Sequence, residues 1–105
     1  MSDKESRASQ DETLLKEIIE LSFPIKVNGI MTDRLAMRRM LTKDQRVAMR
    51  LSKGDEAEFE IILFSRLTDC AINDLEELDF ADYRKLQKAF LRISADHGDT
   101  ENPKS

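Results

Sequence analysis

The sequence predicts an α+β fold in which an N-terminal β-hairpin is followed by three main α-helices. Apolar and polar residues alternate from Ile19 to Ile25, and Asn28-Gly29 follows, which is the strongest short signal of a hairpin. Beyond the hairpin, three segments place a side-chain acceptor three residues before an acidic or amide side chain, as helix starts do. They begin at Thr42, Asp55 and Asp79, and the third matches the pattern least closely because it ends in an aspartate.

Two arrangements of the hairpin turn agree with the alternation. A two-residue loop at Asn28-Gly29 would leave Leu35 and Met37 on the face away from Leu21 and Phe23. A loop one residue longer, with Gly29 as a left-handed bulge, brings them onto the apolar face, and this is the arrangement we expect. Pro24 lacks a backbone donor, which indicates an edge strand with its nitrogen turned outward.

Apolar spacing predicts helices over about 43–53, 56–70 and 80–94, with a short connecting segment over 72–78 that is at most one helical turn. Val47, Leu51 and Ala48 are expected to face inward from the first helix. Arg66 interrupts the apolar arc of the second helix, so we expect it to pair with a carboxylate at the edge of the core or to extend to solvent. The remaining inward positions are Phe59, Ile62, Leu63, Leu67 and Cys70 in the second helix and Tyr83, Leu86, Phe90 and Ile93 in the last.

The composition predicts one folded domain over 16–94, a disordered polar leader over 1–15 and a disordered polar tail over 95–105. A domain of about 80 residues is marginally stable by itself, so self-association or a bound client would help to hold it together. The polar, acidic start does not fit a secretory signal, and no apolar run is long enough to span a bilayer. A cytoplasmic protein is therefore expected.

No group of residues in the sequence suggests catalysis, a metal site or a cofactor. The single histidine, His97, and the single cysteine, Cys70, are far apart, which argues against a zinc site and a Cys–His nucleophile pair. The three glycines are scattered, so no phosphate-binding loop is predicted. We expect a protein that is not an enzyme.

Charge is unevenly distributed within a net charge of −4. The segment 34–53 carries seven basic residues and one acidic residue, and the four candidates for a basic patch are Arg38, Arg39, Arg46 and Arg50. A small nucleic-acid-binding regulator is therefore one alternative function. The next helix begins with Glu56, Glu58 and Glu60, which phosphates would repel, so a DNA-recognition helix is not expected there.

Protein binding is the function class that the sequence favours. Ile61 and Phe64 point away from the predicted arc of their helix, and Leu91 lies outside the apolar stripe of the last helix. A helix that is apolar on more than one side is either packed centrally, which is the commoner case, or partly an interface. Methionine suits surfaces that accept varied apolar partners, and Met31 and Met40 are the methionines most expected to be exposed. These five residues are the predicted partner-binding groups.

The order of several short motifs resembles the tail assembly chaperones of long-tailed phages, the family that groups tail protein E with Mu-type tail assembly proteins. The matching landmarks are Phe23-Pro24-Ile25, Gly29, Leu35-Ala-Met37-Arg38, Thr42 with Asp44, the segment 58–67, and Leu75-x-x-Leu78-Asp79-x-x-Asp82-Tyr83-x-x-Leu86. The resemblance covers about residues 18–93. Leu41 departs from it, because the family usually has a proline there, and the Arg38-Arg39 pair and the polar leader are particular to this chain.

The resemblance implies a non-catalytic protein that binds the tape-measure protein and keeps it soluble while tail-tube subunits assemble around it. It also implies a longer form made by ribosomal frameshifting, to which the polar tail after Ser94 would connect. A structural subunit of the tail is the remaining alternative. No binding residue transfers from the family, so the candidate site residues come from the physical argument alone.

Overall fold

The computed structural model describes residues 16–95 and has the predicted α+β architecture, with one antiparallel hairpin followed by helices. The prediction of disorder at both ends falls almost wholly on residues outside this range. Helix α1 packs against α2, while α4 lies against the hairpin. The elements in chain order are β1 (Lys16–Val27), β2 (Ile30–Arg38), α1 (Thr42–Ser52), α2 (Glu56–Thr68), the short α3 (Ile72–Leu75) and α4 (Phe80–Ser94).

The hairpin turn has two residues, so the prediction of a longer loop is wrong. Asn28 and Gly29 have φ angles of 56° and 81°, and Val27 pairs directly with Ile30. Two successive positive φ angles are characteristic of the tight turn that Asn-Gly favours, because its twist matches that of the strands.

A bulge in β1, rather than the turn, brings Leu35 and Met37 onto the apolar face. Ile25 pairs with Thr32 and Glu20 with Arg34, so residues 21–24 stand opposite one residue of β2. The three extra residues are an odd number, and an odd shift of register exchanges the two faces of a strand. Leu35 and Met37 are consequently buried, as predicted, while Phe23 within the bulge is 56% exposed.

Asp82 of α4 holds this bulge. Its two carboxylate oxygens accept hydrogen bonds from the backbone N–H groups of Ser22 and Phe23, each at 2.9 Å. The Lys85 ammonium lies 3.1 Å from the same carboxylate and donates to the Glu20 carbonyl at 2.9 Å. Pro24, which has no N–H to donate, is accommodated where the ladder is interrupted.

At two of the three predicted helix starts, Asp55 and Asp79, the capping aspartate accepts a backbone hydrogen bond as predicted. The Asp55 carboxylate accepts from the Glu58 N–H, and the Asp79 carboxylate from the Ala81 N–H, both at 2.9 Å. Asp82 does not return to the backbone of Asp79, because it binds the bulge instead. At α1 the cap is one residue earlier than predicted.

At the start of α1, Thr42 is the first helical residue and Leu41 is the cap, without a side-chain hydrogen bond of its own. Asp44 instead accepts from the Leu41 N–H at 2.8 Å, which is the role that the sequence pattern gave to Gln45. The same carboxylate receives two hydrogen bonds of 2.9 Å from the Arg38 guanidinium and one of 3.0 Å from Arg66 Nε. The predicted pairing of Arg66 with a carboxylate is confirmed.

This arrangement connects β2, α1 and α2. We call it the Asp44 joint, and it consists of Arg38, Asp44, Arg66 and the backbone of Leu41. The Asp44 side chain is fully buried. The hydrogen bonds from Arg38 outweigh the cost of burial and, together with those from Leu41 and Arg66, hold the pKa of Asp44 far below its usual range. The joint is thus stable only with the carboxylate ionised.

The core lies between the hairpin and the helices. Helix α1 contributes small residues, since Ala48 and Ser52 are buried, whereas Val47 is only half-buried and Leu51 is 57% exposed. The expectation that Leu51 faces inward is therefore wrong. Cys70 is buried as predicted, and burial raises the pKa of its thiol. The buried apolar residues are Ile19, Leu21, Ile25, Leu35, Met37, Ala48, Ile62, Leu63, Phe64, Leu67, Cys70, Leu75, Leu78, Leu86, Ala89 and Ile93.

Candidate functional site

An apolar groove of about 440 Å³ opens between α1 and α4, with the N-terminal half of α2 forming one wall. We call it the aromatic groove. Its volume lies within the range of about 300–1,000 Å³ that is typical of binding pockets. The groove is lined by Met40, Gln45, Glu56, Phe59, Glu60, Leu63, Phe64 and Phe90.

Three aromatic rings set the distance between α2 and α4 at the base of this groove. The Phe64 ring lies 5.6 Å from the Tyr83 ring and 5.7 Å from the Phe90 ring, in tilted arrangements that aromatic pairs favour. Phe64 is buried, while Tyr83 and Phe90 are only partly covered. Because bulky rings separate the two helices, apolar surface near Phe59 and Phe90 remains accessible.

A carboxylate is fixed at the rim of the groove by neutral donors. Glu60 Oε1 accepts from the Tyr83 hydroxyl at 2.8 Å and from the Gln87 amide at 3.1 Å. Burial, followed by the hydrogen bond to Glu60, raises the pKa of Tyr83 well above its usual value, so the phenol stays protonated as the donor. Two neutral donors therefore fix the position of the Glu60 carboxylate.

The end of the groove near Met40 is closed by the loop between β2 and α1. Arg39 Nη1 donates to the Ile93 carbonyl at 2.6 Å and so ties this loop to the C-terminal turn of α4. The Asp44 joint holds the following residues. These contacts hold the loop on both sides of Met40, whose half-buried side chain packs against the core and lines the groove.

A second hollow continues the groove at its other end. It measures about 200 Å³, and Phe59 and Glu56 line both. Met49 and Asp55 also line it, and Met49 is 57% exposed. Apolar surface thus extends from Phe90 past Phe59 to Met49, bordered by the carboxylates of Asp55, Glu56 and Glu60.

The structure brings only some of the predicted partner-binding residues together. Met40 lines the groove, and Leu91, which is 68% exposed, lies one turn beyond Gln87 on α4. Ile61 is half-buried against the core. Met31 is 64% exposed but lies at the turn end of β2, more than about 20 Å along the chain from Met40.

The expectation that Phe64 points away from the core is wrong. Its side chain is 1% exposed because Tyr83 and Phe90 pack on the side of α2 that the sequence suggested was free. Helix α2 is therefore apolar on more than one side because it packs between neighbouring elements. Phe64 forms the base of the groove and not its accessible surface.

Six of the eight residues that line the groove were missed as site residues, among them two aromatic rings and two carboxylates. Phe59 and Phe90 fitted the apolar stripes and were assigned to the core, while Glu56 and Glu60 were considered only as part of an acidic helix start. Tyr83 gave a usable signal, because a tyrosine in an apolar stripe requires an acceptor for its hydroxyl group. The acceptor is Glu60, one helical turn before Phe64.

The four arginines of the predicted basic patch do not form one exposed surface. Arg38 is committed to Asp44 and Arg39 to the Ile93 carbonyl. Arg46 and Arg50 are exposed on α1. Because Arg38 and Arg39 stabilise the fold, only two of the four arginines remain available to phosphates. The hypothesis of a nucleic-acid-binding regulator loses its main support.

Within residues 16–95 the structure groups no three or more His, Cys, Asp or Glu side chains in a way that would hold a metal ion. Over the same residues, no helix is both long and apolar enough to cross a bilayer.

Comparison with known protein families identifies a relationship for this chain. A sequence model of the phage tail assembly chaperone proteins, described as E, or 41 or 14, matches residues 18–93. No curated protein and no solved structure matches the chain. The match covers most of the chain and extends from β1 into the last turn of α4. The chain belongs to the family of phage tail assembly chaperone proteins.

Proposed function

We propose that this protein is a non-catalytic chaperone that binds the tape-measure protein in the host cytoplasm and keeps it soluble during tail assembly. Membership of the tail assembly chaperone family supports a role towards proteins of the tail. The choice of the tape-measure protein follows from its expected length and apolar helical character, which requires cover until tail-tube subunits surround it.

The observation that carries the proposal is the aromatic groove. Helical clients dock through apolar side chains spaced three, four and seven residues apart, which enter a hydrophobic groove. The aromatic groove offers Phe59 and Phe90 as half-buried rings with Met40 between the loop and the helices. Met40 is a flexible side chain that adapts to varied apolar partners. Leu91 is exposed on α4, one helical turn beyond the Gln87 that binds Glu60 at the rim, and we take it as a further contact for the client.

The test is co-expression of the tape-measure protein with this chain, measuring the soluble yield and co-purification of the tape-measure protein. We expect the wild-type chain to raise the soluble yield several-fold, by covering apolar surface that would otherwise aggregate. If the yield does not change and the two proteins do not co-purify, the proposal is wrong.

A matched pair of variants locates the client on the protein. Leu91→Ser removes an exposed apolar group from α4, one helical turn from the Gln87 that binds Glu60, and Met31→Ser removes one of similar exposure near the hairpin turn. Neither side chain is in the core, so neither variant should change stability by more than about 0.5 kcal/mol. We expect Leu91→Ser to lower co-purification and Met31→Ser to leave it unchanged. The reverse result would move the client to the hairpin.

A further inference from the structure

The acidic rim of the groove lacks positive partners of its own. Within residues 16–95, ion pairs form at Asp33, Asp44, Asp82 and Glu17, but none involves Asp55, Glu56 or Glu60. Asp55 accepts only the N–H of Glu58, and Glu60 accepts only neutral donors. Among the described residues, the apolar floor is therefore bordered by three carboxylates that form no ion pair.

The geometry points to an occupant of stated chemistry: we infer that the groove binds an amphipathic helix whose apolar stripe is flanked by lysine or arginine. The apolar side chains would contact Phe59 and Phe90, while the flanking cations would face Glu56 and Glu60. Complementary charge of this kind selects partners and their orientation more than it adds affinity. The inference rests on the proposed function, because it takes the groove as the client site.

The terminal segments of this chain do not fit as occupants. Residues 1–15 and 96–105 both carry more carboxylates than cationic side chains, so the acidic rim would repel them.

Helix α1 of a second copy does not offer a suitable apolar stripe either. The exposed face of α1 is basic, with Arg46, Arg50 and Lys53, but Met49 is the large apolar side chain beside them. Leu51 lies about half a turn away from Met49 around the helix. A single apolar group is not the stripe that a groove of this length accepts. Charge complementarity with the acidic rim therefore favours a basic, amphipathic client. The part of a second copy that a dimerisation measurement must exclude is α4, where the exposed Phe80 and Leu91 lie beside Arg84 and Lys88.

Two synthetic helical peptides test the inference. Both carry the same leucine stripe, one flanked by lysine and the other by glutamate, and their binding to the full chain is followed by fluorescence anisotropy. At low salt we expect the lysine peptide to bind about tenfold more tightly, since exposed ion pairs contribute modestly and two to three of them would form. Added salt should reduce this difference.

Two variants of one helix provide the matched control. Glu56→Gln removes a charge from the rim, whereas Glu58→Gln removes one from α2 at a residue that does not line the groove. We expect Glu56→Gln to weaken the lysine peptide about threefold and Glu58→Gln to leave it unchanged. Equal binding of both peptides, or equal effects of both variants, would overturn the inference.

Sedimentation equilibrium measures whether the protein forms a dimer, and so tests whether a second copy of the chain occupies the groove. A dimer that is lost in Glu56→Gln but retained in Glu58→Gln would also overturn the inference, because another copy of the chain would then fill the groove. If the tape-measure protein is kept soluble but the peptides bind equally, the charge inference alone fails. If co-expression gives no solubilisation at all, the proposed function fails first.

Discussion

The Asp44 joint and the rim of the aromatic groove use carboxylates in opposite ways. At the joint a fully buried carboxylate meets two guanidinium groups and a backbone N–H. At the rim, Glu60 meets a phenol and an amide, and Glu56 has no ion-pair partner among the described residues. The comparison indicates that the joint serves the fold, whereas the rim leaves negative charge available for another molecule.

Asp82 belongs with Asp44 in this comparison. It is fully buried, and it fixes a departure from regular structure, the β1 bulge, as Asp44 fixes the passage from β2 into α1. Burial would raise the pKa of Asp82, but the hydrogen bonds from Ser22 and Phe23, with Lys85, lower it overall. Both carboxylates stabilise irregular backbone that a two-stranded sheet and short helices could not hold by themselves.

Removing the carboxylate of the joint should have the largest effect. Asp44→Ala leaves Arg38 and Arg66 facing each other without an anion. We expect the free energy of unfolding to fall by about 3 kcal/mol. This is the lower end of the range for a broken buried ion pair, because both arginines partly reach solvent. Urea denaturation measures it. The control is Asp33→Asn, which removes a surface pair of 3.7 Å and should cost less than about 0.5 kcal/mol. Equal losses would remove the distinction between the two kinds of site.

Acid should destabilise the protein through the same two carboxylates. Their folded pKa values lie below the unfolded carboxyl value of about 3.9, so their contribution is fully present above that pH and is lost as pH falls below it. We expect the urea midpoint to be steady from pH 7 to 5 and to fall below about pH 4. In Asp82→Asn the fall should be shallower. A midpoint that declined already between pH 7 and 6 would point to another titrating group.

The smallest effect on stability is expected at the rim. Glu56→Gln should change the free energy of unfolding by less than about 0.5 kcal/mol, since Glu56 is exposed and forms no ion pair among residues 16–95. Urea denaturation measures this change as well. A loss comparable to that of Asp44→Ala would mean that the rim is part of the folding framework, and the contrast between the two regions would disappear.

Local patterns were sufficient for much of the fold. Asn28-Gly29 placed the turn, and the Asp55 and Asp79 caps placed two helices to within a residue or two of their observed starts. These features depend on hydrogen bonds between neighbours in the chain. The division into one folded domain over 16–94 with disordered ends remains a prediction.

Interpretation from the sequence was weakest where the outcome depended on contacts between distant residues. A longer loop and a bulge would both place Leu35 and Met37 on the apolar face, so the alternation alone does not choose between them. The bulge forms because Asp82, sixty residues from Ser22, accepts hydrogen bonds from the backbone N–H groups that the bulge leaves unpaired. Leu51 and Phe64 were placed on the wrong sides of their helices for a related reason. Periodicity gives the apolar faces of a helix but not which neighbour covers each face.

The sequence by itself determined the hairpin, the positions of the helices and the family resemblance, because turn chemistry, capping and apolar spacing act over a few residues. Only the tertiary structure decided which carboxylates are buried and which border the aromatic groove. That choice depends on the meeting of β2, α1, α2 and α4, where Arg38 and Arg66 neutralise Asp44 and no cation reaches Glu60 among the residues described. Burial and charge compensation are properties of the assembled chain, and they separate the residues that stabilise this protein from those proposed to bind its client.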